Sequence, residues 1–354
     1  MKQKRGVQGS CIYRVRTFFR FIEPGLNKNQ HNTMRLHPTT TKSCCQIFLS
    51  YLLAMLTAFF VAACSDTDDG QKGSDNNDTS DNTNRNDTSQ EPSLARLEFP
   101  KVKGGKVLIH YTNDQYGINY SVEWDTEKKA QRWSCYQLDS KTLQQNTSRY
   151  SSNNNQYPHD PLLPNNLYLS QDCIRNSGYD HGHICPSADR LYSEEANYQT
   201  FFLTNMQPQY KAFNGSLSGN EKYKNDWSPW YRLETQVRSW ANSQSTETLY
   251  VVKGGTIEDD QVFPDKLKGE MLVPKYFFVA LLLKNSQGYK AIGFWMEHKG
   301  SYDKKLPLAD YAVNISELEQ LTGIDFFCNL PDDTEKRIEQ LPIENVKKAW
   351  GLSQ

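Results

Sequence analysis

The sequence has little excess charge of either sign. Its 354 residues carry 40 Lys and Arg against 41 Asp and Glu, a formal net charge of −1. Residues 95–354 hold 29 of the basic and 32 of the acidic side chains, a net charge of −3. This segment therefore lacks the global positive field of many nucleic-acid binders. A polyanion would have to be bound by a local patch. No internal repeat is apparent.

Long hydrophobic segments are also scarce. An apolar run at residues 47–63 contains Ser50 and Tyr51 and is shorter than the roughly 20 residues that span a bilayer. It follows a short basic stretch after Met34 and ends in Val61-Ala62-Ala63-Cys64. This layout predicts a signal region over residues 1–63 with a lipobox, so that Cys64 is lipidated and anchors the protein to a membrane. A single transmembrane anchor is the alternative, and Met34 is a candidate true start.

Residues 64–94 contain almost nothing apolar. Their Asp, Asn, Ser, Thr and Gly cannot bury enough surface to offset the entropy of ordering, which predicts a disordered acidic and polar tether. The acidic start at residues 65–70 resembles an export signal that carries bacterial lipoproteins to the outer face of the cell. We therefore expect a lipid-anchored protein at the outer membrane, facing the cell surface or the periplasm.

Residues 95–354 are long enough for one domain. Their patterns predict an α+β fold in which a mixed central β-sheet is flanked by helices. Ser316 and Glu319 have the spacing of a capping box. Predicted strands cover residues 106–111, 118–124, 133–138, 201–203, 249–252, 276–283 and 291–296, and predicted helices cover 193–199, 231–240 and 316–321.

Four cysteines fall in this domain: Cys135, Cys173, Cys185 and Cys328. In an exported protein an even number permits disulfides, and four cysteines allow three connectivities. Cys173 is a nearby candidate partner for Cys185.

Reactive side chains are concentrated in residues 179–190. Two imidazoles, two carboxylates, a thiol and a guanidinium surround one Gly and one Pro. A histidine beside carboxylates can act as a general base near neutral pH. A metal knot is the alternative, because His181, His183 and Cys185 alternate along the chain and are zinc-ligand types.

An ordered series of motifs extends this site. Asp180-His181-Gly182-His183 is followed by residues 204–209 (TNMQPQ), by Phe213-Asn214-Gly215 and by Glu234 with Arg238 one helical turn later. The series resembles the DNA/RNA non-specific endonuclease family, the ββα-metal nucleases, over residues 106–331. The resemblance implies a ββα-metal catalytic motif and hydrolysis of DNA and RNA to 5′-phosphate and 3′-hydroxyl ends.

The resemblance also implies residue roles. His183 would be the general base and Asn214 the direct protein ligand of a divalent cation. Glu234 would hold metal-bound waters, and Arg238 would contact the phosphate or the leaving oxygen. Asp180 and Asn205 would shape the site. A water-rich shell suits Mg²⁺, with Mn²⁺ as a second possibility.

Two features depart from the family pattern. His181 stands where the motif usually has Arg, which reduces the fixed positive charge available to the substrate. A long segment, residues 215–231, separates Asn214 from Glu234. It adds Asn220 and Asn225 as rival ligands. Its side chains Lys222, Lys224, Trp227 and Trp230 would either meet the nucleic acid or, for the tryptophans, pack the loop onto the domain.

Other polar residues have simpler interpretations. Asp189 and Arg190 are expected to form a local ion pair or a helix start, with substrate binding as the alternative. His110, His159 and His298 are expected to be structural. Two further functions remain open at this point: a phosphodiesterase of narrower range, and a non-catalytic surface lipoprotein that binds nucleic acid or another polymer.

Overall fold

A computed structural model of the chain describes residues 82–113, 115–215 and 227–352. The predicted signal region with Cys64, the rival ligands Asn220 and Asn225, and the loop lysines Lys222 and Lys224 lie outside these residues. Within the described ranges, no helix is both long and apolar enough to cross a membrane.

A central sheet of seven strands organises the described domain. All of its strand pairs are antiparallel. The α+β prediction is confirmed, and the sheet that was expected to be mixed is antiparallel. In spatial order the strands are β1 (Lys106–Tyr111), β2 (Ile118–Asp125), β3 (Ala130–Leu138), β6 (Thr248–Gly255), β7 (Tyr276–Asn285), β8 (Gly288–Glu297) and β9 (Ala312–Val313).

Two further strands form a separate ribbon, β4 (Tyr179–His183) paired antiparallel with β5 (Met206–Tyr210). The short helix α2 (Lys211–Asn214) follows β5 directly, so the chain contains the β-β-α order that the resemblance implies. The other helices are α1 (Glu194–Gln199), α3 (Pro229–Ala241), α4 (Ile315–Thr322), α5 (Asp332–Glu339) and α6 (Ile343–Ala349).

Successive side chains of a strand point to opposite faces of the sheet, and both faces of the central sheet are covered. Val251 and Leu281 belong to a core that includes Ile184 after the ribbon and Leu233 of α3. Their neighbours Val252 and Leu282 belong to a second core that includes residues of α4 and α5. The ribbon and the helices α4 and α5 thus pack on opposite faces of the sheet.

Two local predictions need correction. Residues 201–203 are buried but do not form a strand, because Phe201 and Phe202 lie in turns that close on α1, and a 3₁₀ helix begins at Leu203. The cap of α4 is Asn314, whose side chain accepts a hydrogen bond from the backbone N–H of Glu317 at 2.8 Å. The helix therefore begins before Ser316.

The folded part of the chain begins earlier than residue 95. The Asn82 amide donates to the Leu330 carbonyl at 2.7 Å, the Asn84 amide donates to Asp325 at 2.7 Å, and the Asn86 side chain is 4% exposed. The prediction of a tether up to residue 94 is wrong for residues 82–94, because their amide side chains dock on the domain by hydrogen bonds that carry no hydrophobic pattern.

Carboxylates are crowded where this segment meets α4 and α5. Burial, reinforced by neighbouring carboxylates, raises the pKa of Glu319 to about 7, that of Glu335 to about 8 and that of Glu339 to about 9. One carboxyl oxygen each of Glu335 and Glu339 is buried without a hydrogen-bond partner. The folded state therefore holds protons that the unfolded state releases above the ordinary pKa of 4.5, so stability falls as pH rises from there towards 9.

We expect Glu335→Gln and Glu339→Gln each to raise the melting temperature at pH 8.5 and to leave it unchanged at pH 4.5. A neutral amide removes the buried charge, a gain on the order of 1–2 kcal/mol, or about 2–6 °C for a domain of this size. Thermal unfolding across this pH range measures the effect, with the exposed Glu344→Gln as the matched control. An equal gain at both pH values would contradict the electrostatic cause.

Candidate active site

A cleft of about 590 Å³ opens beside the ribbon. It brings together five of the side chains singled out in the sequence: Asp180, His181, His183, Asn214 and Glu234. These come from β4, α2 and α3, which are far apart in the chain. Because these predicted site residues line it, the cleft is the candidate active site.

The β4–β5 pairing sets the geometry of the motif. His181 is opposite Pro208 and His183 is opposite Met206, and residues two apart on a strand share a face. Gly182 lies between them where a larger residue would not fit without a shift, because an added Cβ would overlap the buried Gln209 side chain. The Gln209 side chain thus packs over the backbone of Gly182.

His183 has its two ring nitrogens in different surroundings. Nδ1 lies 3.2 Å from the carbonyl oxygen of His181, and because a carbonyl only accepts, Nδ1 carries the proton. Nε2 lies 3.5 Å from the Arg149 guanidinium. Burial and the positive charge of Arg149 lower the pKa of His183 to about 3. The imidazole is therefore neutral at pH 7, with Nε2 able to accept a proton.

His181 does not supply a cation. Its ring stacks on Tyr157 with centroids 3.7 Å apart and an interplanar angle of 2°. Burial lowers the pKa of His181 to about 4, and its Nε2 is buried without a hydrogen-bond partner. The imidazole at position 181 is therefore neutral at pH 7.

Three side chains with oxygen donors, Asn214, Asp180 and Glu234, line the cleft. The Asn214 amide nitrogen donates to Asp180 at 3.1 Å, and the amide oxygen is the atom left to face a cation. The Asp180 and Glu234 carboxylates line the same cleft. Glu234 accepts from Lys253 at 2.7 Å, and that lysine is 2% exposed and lies over the Trp230 ring. Amide and carboxylate oxygens suit Mg²⁺, so the residues fit such an ion.

The zinc alternative finds no support in the described part of the chain. No group of three or more His, Cys, Asp or Glu side chains is arranged there to hold a metal ion.

Trp230, a candidate for nucleic-acid contact, is 1% exposed and packs against Phe213 and Phe277 instead.

Arg238 points to a different partner from the one predicted. Its guanidinium pairs with the Asp189 carboxylate at 2.9 Å, and Asp189 also accepts from the Tyr136 hydroxyl at 2.9 Å. Arg238 is not among the described residues that line the cleft. Arg190 is fully buried and donates to backbone carbonyls, so the predicted Asp189–Arg190 ion pair is wrong. The alternative prediction of a helix start is also wrong, because Asp189 is the last residue of a short 3₁₀ helix that begins at Ser187.

The four cysteine thiols of the domain are structural. Cys135, Cys173, Cys185 and Cys328 are buried free thiols, so the expected pairing of Cys185 with Cys173 does not form. Burial raises the pKa of Cys185 to about 12, which leaves it an inert core residue.

Several histidines and one amide brace the domain. Asn205 bridges the backbone of Cys185 and Thr200. His110 contacts the buried Asp160 at 2.8 Å, and His298 accepts from the backbone N–H of Tyr210. His159 stacks on Tyr168.

Sequence patterns missed two residues in the cleft wall. Arg149 approaches His183 and its guanidinium lies 4.8 Å from the Phe201 ring centroid, and Tyr157 carries the stack on His181. Both come from loops of polar composition. No periodicity marks a single cation or aromatic in such a loop, so only the folded structure reveals them.

Comparison with known proteins agrees with this geometry. Residues 105–333 match the family model described as DNA/RNA non-specific endonuclease. A nuclease from Nostoc sp. is 30% identical over 270 residues, which cover 71% of this chain and 90% of that protein. Nuclease C1 from Cunninghamella echinulata is 24% identical over 221 residues, covering 61% and 83%.

Human mitochondrial endonuclease G is 27% identical over 164 residues, covering 44% of this chain and 50% of that protein. A solved structure of the EndoG/EndoGI complex aligns at 20% identity and a TM-score of 0.49, over 63% of this chain and 86% of that chain. Members of the matched family generally depend on a divalent metal ion. The chain belongs to the DNA/RNA non-specific endonuclease family.

Proposed function

We propose that the protein is a metal-dependent endonuclease that cuts DNA and RNA without sequence preference and leaves 5′-phosphate and 3′-hydroxyl ends. The observation that carries the proposal is the pairing of a neutral His183, whose proton is held at Nδ1, with Asn214 in one cleft. A binder that had lost catalysis would have no need to keep both.

In this proposal His183 acts as the general base. Its Nε2 takes a proton from the attacking water, while the contact of Nδ1 with the His181 carbonyl fixes the ring in the required tautomer. A bound phosphate brings negative charge next to the imidazole, which raises its pKa from about 3 towards the working pH and strengthens it as a base.

Asn214 would hold the divalent cation through its amide oxygen, and Glu234 would accept hydrogen bonds from the waters around it. Mg²⁺ is the proposed ion, with Mn²⁺ as a substitute. When bound, such an ion polarises a phosphoryl oxygen and stabilises the leaving oxygen. Asp180 orients the Asn214 amide through their hydrogen bond.

The phosphate contact predicted for Arg238 is assigned to Arg149, and Arg238 is assigned a positioning role. Arg149 lines the cleft beside Nε2 of His183, so we assign to it the contact with the scissile phosphate. Arg238, held by Asp189, is assigned to positioning α3 and, through α3, Glu234.

Cys64 is proposed as the lipid attachment site that holds the enzyme at the outer membrane.

Replacing His183 by Ala is expected to slow cleavage of a closed circular plasmid by about 10²–10⁴-fold, because the general base is lost. The assay follows nicked and linear DNA in Mg²⁺ and in EDTA. His159→Ala, which removes an imidazole outside the cleft, is the matched control and should retain activity. A loss of less than about tenfold in His183→Ala would reject the assigned base.

Asn214→Ala is expected to weaken metal affinity by at least the ~10–100-fold that loss of an outer-shell partner of a metal site typically causes. The Mg²⁺ concentration at half-maximal cleavage measures this, together with calorimetric Mg²⁺ binding in the absence of substrate. An unchanged metal requirement would exclude Asn214 as the ligand and turn attention to Asn220 and Asn225.

The pH profile tests Arg149. Because the pKa of His183 is about 3 in the free protein, kcat/KM should stay level from pH 7 to about pH 5 and fall only at lower pH. Arg149→Gln removes a cation that lowers this pKa, so its acid limb should move to higher pH while kcat/KM also drops. A parallel drop at every pH would mean that Arg149 does not act on His183.

A further inference from the structure

Two cations stand at one end of the ribbon. Arg175 lies shortly before β4 and Lys211 directly follows β5. Tyr179 and Tyr210 are paired in the antiparallel register, and their hydroxyls are 3.0 Å apart. The start of β4 and the end of β5 therefore coincide. Arg175 and Lys211 both line the cleft.

Neither cation is tightly held by the protein. The ion pair of Arg175 with Asp172 joins side chains that are 65% and 63% exposed, and such pairs contribute about 0–1 kcal/mol. Lys211 is exposed and takes part in none of the ion pairs between described residues. Both side chains are therefore available to an anion at little cost.

The charge that position 181 lacks has a substitute nearby. Arg175 and His181 line the same cleft, so the Arg175 guanidinium lies near the position where the family motif usually has Arg. Burial lowers the pKa of His181, Asp180 raises it, and Arg175 lowers it to a smaller extent. Lys211 is three residues before Asn214 on α2, a spacing that sets two side chains on the same side of a helix. The two cations thus line the same cleft as the proposed metal ligand and His181.

We propose that Arg175 and Lys211 form a phosphate-binding subsite that holds the nucleic-acid strand beside the scissile bond and supplies the positive charge missing at His181. The inference rests on the proposed function. Tyr179 and His183 are four residues apart on β4, which corresponds to about 13 Å along the strand. The subsite therefore takes another phosphate of the same nucleic-acid strand, about two nucleotides away, whereas Arg149 contacts the phosphate that is cut.

Binding of a labelled single-stranded oligonucleotide to the full-length chain tests the subsite. The His183→Ala background in EDTA suppresses cleavage, and fluorescence anisotropy is followed over a series of salt concentrations. Arg175→Ala and Lys211→Ala should each lower the slope of log K against log salt by about 0.7, because one phosphate contact is lost. Each should also raise the Kd about tenfold, as for one charge-assisted hydrogen bond.

A compensating change makes the test specific. Adding His181→Arg to Arg175→Ala should restore most of the lost slope, because the motif cation returns to the site. In the catalytically active protein, Arg175→Ala should raise KM and leave kcat nearly unchanged. Arg337→Ala, an exposed arginine on α5 at the opposite face of the sheet, is the matched control.

The two proposals fail in different ways. Normal cleavage by the unchanged protein, with a salt slope in the Arg175→Ala and Lys211→Ala variants equal to that of Arg337→Ala, would overturn the subsite alone. Failure of His181→Arg to restore the slope would overturn its compensating role. A folded protein that neither binds nor cleaves nucleic acid would overturn both the subsite and the proposed function.

Discussion

The pairing of β4 with β5 is the constraint on which the site depends. It places His181 and His183 on one face, leads directly into the helix that carries Asn214, and brings Arg175 and Lys211 to a common end. The ribbon is anchored at one end: Ile184 is fully buried in the core, and the Asn205 side chain bonds to the backbone of Cys185 after β4 and of Thr200 before β5. The His183 imidazole is therefore carried by a strand whose backbone is held by β-pairing and by these contacts.

The local charge of the cleft differs from the net charge of the domain as a whole. Glu234 and Asp189 are each neutralised by a protein cation, Lys253 and Arg238 respectively. Arg149 instead faces the cleft, where burial lowers its pKa from the ordinary value. A chain with a net charge near zero can therefore still offer a polyanion local positive charge at Arg149, because two carboxylates near the cleft, Glu234 and Asp189, are already paired with protein cations.

The sequence was informative wherever chemistry or apolar content repeats in a fixed order. Continuous apolar runs revealed β6, β7 and β8, and the ordered motif located His183, Asn214 and Glu234 in one cleft. It was silent where a single polar residue decides the structure. Asn314 caps α4 and Arg149 approaches His183, yet neither belongs to any periodic pattern. The docked Asn86 resembles linker sequence because amide hydrogen bonds leave no hydrophobic trace. The burial of Phe201 was predictable, but its turn conformation was not, because apolarity alone does not specify a strand.

The docked segment that begins at Asn82 packs against α5 and the loop before it, on the face of the sheet that is turned away from the ribbon. Residues 82–94 therefore lie on the side of the sheet opposite the ribbon, away from the cleft. A nucleic-acid strand bound in the cleft would therefore not be obstructed by residues 82–94.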